Sequence, residues 1–65
     1  MTIATLRERI LELLVWDGAR SVDEITDHFP GVNRAYIRSA IALLMADGLV
    51  EGSTDGVKVQ AVRNG

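Results

Sequence analysis

The 65 residues predict a small α+β domain, mainly α, in which three helices precede a C-terminal β-hairpin. Three observations carry that expectation. Three apolar stripes at helical spacing each begin at a capping residue, and the hydrophobic period drops from 3.6 to 2 after Gly48. The third is length. A chain this short removes only about 60% of its unfolded surface from water, so one core must hold residues 1–65 as a single domain. The 48% hydrophobic content is enough for that core and argues against disorder.

The first helix is expected over residues 3–16. Thr5-Leu-Arg-Glu8 fits a capping box, and Thr2 offers an alternative start one turn earlier. Ile3, Leu6, Ile10, Leu13 and Leu14 lie within one arc of the helix, whereas Leu11 and Val15 fall outside it. Asp17-Gly18 ends the segment, glycine supplying the left-handed conformation of a C-terminal cap.

The second helix is expected over 22–29. Ser21-Val-Asp-Glu24 is a capping box, with Val22, Ile25 and Phe29 on one face and Pro30-Gly31 as the stop. The third, over 33–47, takes Asn33 as N-cap and turns Ile37, Ala40, Ile41 and Leu44 inward, with Gly48 closing it. Beyond it Leu49-Val-Glu51 and the alternating Val57-Lys-Val-Gln-Ala61 flank a turn rich in glycine, serine and aspartate. That pattern predicts a hairpin over 49–62 that lays Val57, Val59 and Ala61 on the helices. Arg63-Asn-Gly65 reads as a frayed tail.

Composition narrows the function. With no cysteine and one histidine, His28, neither a disulfide nor a thiolate or imidazole metal site is expected, and no cofactor. The apolar run Leu13–Trp16 is far short of a bilayer span, and Glu8 and Glu12 break any signal-like stretch. The expectation is a cytoplasmic protein with no membrane role. No acidic pair, Ser/His/acid set or phosphate-cradling glycine loop points to an enzyme, and so compact a chain leaves little room for a small-molecule effector. The net charge is −2, unevenly distributed. Residues 1–30 set Arg7, Arg9 and Arg20 against Glu8, Glu12, Asp17, Asp23, Glu24 and Asp27, a balance of −3. Residues 31–65 set Arg34, Arg38, Lys58 and Arg63 against Asp47, Glu51 and Asp55, a balance of +1, so any basic surface belongs to the second half.

Ser21-Val-Asp-Glu-Ile25, the Pro30-Gly31 turn and Val32-Asn-Arg-Ala-Tyr-Ile-Arg-Ser-Ala-Ile-Ala-Leu-Leu44 together resemble the two helices of a helix-turn-helix. Ala46-Asp-Gly-Leu-Val50 before a glycine-rich hairpin is similar to the helix-to-wing junction of small bacterial or phage winged-helix regulators. The resemblance spans roughly residues 3–62. It implies a winged helix-turn-helix that binds double-stranded DNA as a transcriptional regulator, with the third helix in the major groove. Ala35 and Ser39 then face outward, with Arg34 at the helix start and Tyr36 and Arg38 on the flanks; Ala42 and Ala46 keep the outer side slim. Arg38 can pair bidentately with guanine, while Arg34 and Tyr36 serve bases or phosphates. Ser39 is either a hydrogen-bonding contact or simply a small outward residue. On the hairpin Lys58 is the one cation, and Asp55 at the tip is the wrong charge for a phosphate, a departure from the family's basic wing.

About four cations, each neutralising one phosphate, give a salt slope of only about −3.6 per monomer. Pairing on two-fold half-sites would add contact, and the outward Leu11 and Val15 are the expected homodimer face; the hairpin and tail are expected to cover Leu43 and Met45. Trp16 reads as a packing residue, His28 as an exposed polar one and Arg20 as a solvated loop residue. The rival reading is a winged-helix protein-interaction module with little or no DNA binding. The acidic chain and cation-poor hairpin suit it.

Overall fold

The computed structural model describes residues 1–62, which form three helices and a three-stranded antiparallel sheet. In chain order these are α1 (Ile3–Asp17), β1 (Arg20–Ser21), α2 (Val22–Asp27), α3 (Arg34–Ala46), β2 (Val50–Gly52) and β3 (Lys58–Ala61). The sheet order is β1-β3-β2. The tail Arg63–Gly65 lies outside the described residues. No described helix is long and apolar enough to cross a membrane.

Each helix starts where a side-chain oxygen meets an orphan amide. Thr2, rather than Thr5, caps α1, its hydroxyl accepting from the Thr5 amide. Ser21 and Glu24 form the reciprocal capping box of α2, and Asn33 Oδ1 accepts from the Ala35 amide at 2.8 Å to start α3. After α3 the Gly48 amide donates to the Met45 carbonyl and the Leu49 amide to that of Leu44, each at 3.0 Å. This pairing needs a residue at positive φ, and Gly48 is at +76°. Gly18 also has positive φ, +81°, but its ψ of −166° is extended rather than left-handed helical, and it feeds the chain directly into β1. α2 stops at Asp27, two residues early, because the His28 and Phe29 amides turn back to Ile25 and Thr26.

One cluster fills the interior: Leu6, Ile10 and Leu14 from α1, Ile25 from α2, Ile37, Ala40, Ile41 and Leu44 from α3, and Val50 from β2. α1 and α3 share the most extensive interface, and Val59 and Ala61 close the core from β3. Arg7 reaches from α1 to pair with Asp47, placing a cation by a carboxylate that the C-terminal end of α3 would otherwise disfavour.

Strand β1 has no counterpart among the expected elements. Its two residues pair with the start of β3 (Arg20 with Val59, Ser21 with Lys58), tying the α1–α2 link to the hairpin. Val57, expected on the inner face, is 68% exposed in the turn, where its amide donates to Asp55 Oδ1 instead of a strand. Leu11 also departs from expectation. It packs half-buried against the core beside Leu44 and Leu49, so only Val15 of the expected dimer pair stands outside. Leu43 and Met45 are exposed, uncovered by the described part of the hairpin.

Candidate nucleic-acid interface

Inward Ile37, Ala40, Ile41 and Leu44 fix the roll of α3, and at 100° per residue the opposite line falls on Ala35, Ser39, Ala42 and Ala46. All four are exposed. The face is therefore clear of the fold and slim along its full length. Arg38 lies about 70° from that line and Arg34 about 110°, on the same flank; Tyr36 lies about 90° away on the other. Arg34, Tyr36 and Arg38 are exposed as well, so the first two turns of α3 gather all five of its expected site residues.

Their charges are not equally free. Arg34 Nη1 lies 2.5 Å from Asp23 Oδ1 in the first turn of α2, an ion pair that no spacing in the sequence signals. Arg38 is in no ion pair among the described residues. Lys58, half-buried on β3 of the hairpin as expected, lies opposite Ser21, the N-cap of α2. Glu24 is held below its ordinary pKa first by the Ser21 amide of the capping box, with Lys58 and Arg20 adding smaller contributions. Arg34 is thus paired at the acidic start of α2 and Lys58 lies near it, while Arg38 is exposed and in no ion pair among the described residues.

The hairpin tip explains the aspartate that looked misplaced. Asp55 Oδ1 accepts from the Ser53 hydroxyl and from the amides of Val57 (2.9 Å) and Lys58 (3.3 Å), while the Gly56 amide closes onto the Ser53 carbonyl. These bonds, the Ser53 hydroxyl first, hold its carboxyl below the usual aspartate range. The negative charge at the tip is the charge that shapes the turn.

At the C-terminal end of α1, Trp16 is 83% exposed and Val15 60%, contrary to the packing role expected of Trp16. Both lie on the last turn of α1, more than about 100° from the midline of the Leu6–Ile10–Leu14 stripe, so the roll of the helix turns them away from the core. Val15 borders an open groove of about 490 Å³ between α1 and the β2–β3 hairpin, lined also by Leu14, Gly18 and Ala61. Among the described residues no three His, Cys, Asp or Glu side chains gather as a metal set.

In comparison with known proteins, no protein-family model, no curated protein and no solved structure matches this chain significantly.

Proposed function

We propose that the chain is a winged helix-turn-helix domain that binds duplex DNA as a small transcriptional regulator, entering the major groove with α3. The observation that carries this reading is the outward side of α3, where small exposed residues run beside Arg38, an arginine in no ion pair among the described residues. A major groove about 12 Å wide admits one helix, and bulky outward side chains would hold it off the bases. Ala35, Ser39, Ala42 and Ala46 remove that obstacle, and the exposed Arg38 is the side chain that would pair with guanine O6 and N7. The α2–turn–α3 arrangement and the β1-β3-β2 sheet are compatible with the layout, in which the β2–β3 hairpin is the wing. With Asp55 spent on its own turn and Lys58 beside Glu24, the wing contributes little attraction for phosphates, so α3 carries the binding.

Selection from a pool of random duplexes at low ionic strength tests the proposal. Enrichment of a short motif containing guanine is expected; a pool that stays random contradicts it. The exposed Val15 and Trp16 favour a second reading, a protein-interaction module contacting its partner through the end of α1.

A further inference from the structure

We infer that Asp23 sets the strength of DNA binding by withholding Arg34 from the phosphates. The inference rests on the DNA-binding reading and adds to it a residue outside α3. The two groups are paired across the α2–α3 junction, with side chains 70% (Asp23) and 54% (Arg34) exposed. Both have local reasons to stay paired. Asp23 lies in the first turn of α2, where the helix dipole favours a carboxylate, while Arg34 lies in the first turn of α3, where the dipole disfavours a cation. Asp23 offsets that second cost. Arg34 also sits about 110° from the outward line, on the flank toward α2, whereas Arg38 points closer to a bound duplex. A phosphate can recruit Arg34 only by displacing a carboxylate that is always present.

The effect must be modest, because exposed ion pairs shift an equilibrium by no more than about fivefold. It has a signature beyond affinity. Each phosphate neutralised by a protein cation steepens the dependence of log K on log salt by about 0.9. If Arg34 is withheld, it contributes nothing to that slope in the wild type and a full unit of it once Asp23 is gone.

The test measures binding to a random-sequence duplex over a range of salt for the wild type, Asp23→Asn, Arg34→Ala, the double variant and Asp27→Asn, which removes an α2 carboxylate that is in no ion pair among the described residues. Asp23→Asn is expected to bind about two- to fivefold tighter at low salt and with a slope steeper by about 0.9. Arg34→Ala, the double variant and Asp27→Asn should all keep the wild-type slope. A wild type that binds while Asp23→Asn leaves its slope unchanged overturns this inference alone, as does an Arg34→Ala variant that flattens the wild-type slope by about 0.9. Absence of binding by every variant at low salt overturns the DNA-binding reading and this inference with it.

Discussion

Replacing Ile37 by alanine is expected to destabilise the domain by about 2–5 kcal/mol, enough to leave much of the population unfolded at 37 °C. Ile37 is fully buried in the cluster that joins all three helices and β2, so its truncation opens a cavity that no single element can collapse to fill. Alanine's better helix propensity returns at most about 0.7 kcal/mol, so the cavity wins. A domain of this size has a total stability of roughly 3–10 kcal/mol, and each kilocalorie moves its melting temperature by about 4–8 °C. Thermal unfolding followed by circular dichroism should show a fall of about 10 °C or more. A shift below about 4 °C would mean that the helices do not meet at this residue.

The second large effect is on recognition. Arg38→Ala should weaken binding to a selected duplex by about 1–3 kcal/mol, a loss of roughly 5- to 150-fold, and relax the preference at one guanine position. Its fold should survive, since Arg38 is exposed and makes no ion pair among the described residues. The loss of preference matters as much as the loss of affinity. A phosphate contact would lower binding evenly over all sequences, whereas a base contact loses its discrimination at one place. Titration of the selected duplex and of its single-base variants separates the two. Equal weakening on every duplex would demote Arg38 to a backbone anchor.

Local chemistry made most of the architecture legible. Ser21 with Glu24, Asn33 before α3 and the Gly48 ending act through residues within a turn of themselves, so their roles can be read from neighbours alone. Where choices turned on distant partners, the reading failed. A two-residue strand has no period, and β1 exists only because β3 lies beside it. Val57 continues the alternation of β3 in sequence, yet the Asp55 carboxylate takes its amide into the turn. Leu11 lies off the main apolar stripe of α1 but finds Leu44 and Leu49 beyond it, while Trp16, also off the stripe, meets no such neighbour and stands exposed.

The candidate site divides along the same line. The roll of α3 follows from its own inward residues, so the sequence alone turns Ala35 and Ser39 outward and sets Arg38 on the flank. The pairing of Arg34 with Asp23 depends on how two helices cross, and no spacing in the chain encodes it. Lys58 looked like a companion of the α3 arginines because it is the hairpin's only cation; strand register instead sets it opposite the cap of α2.

The most direct test of the central claim is to titrate duplex DNA into isotopically labelled protein and follow the backbone amide signals. The largest shifts should fall on Ala35, Arg38, Ser39 and Ala42. Shifts centred on Val15 and Trp16 with α3 undisturbed, or no shifts at low salt, would contradict it.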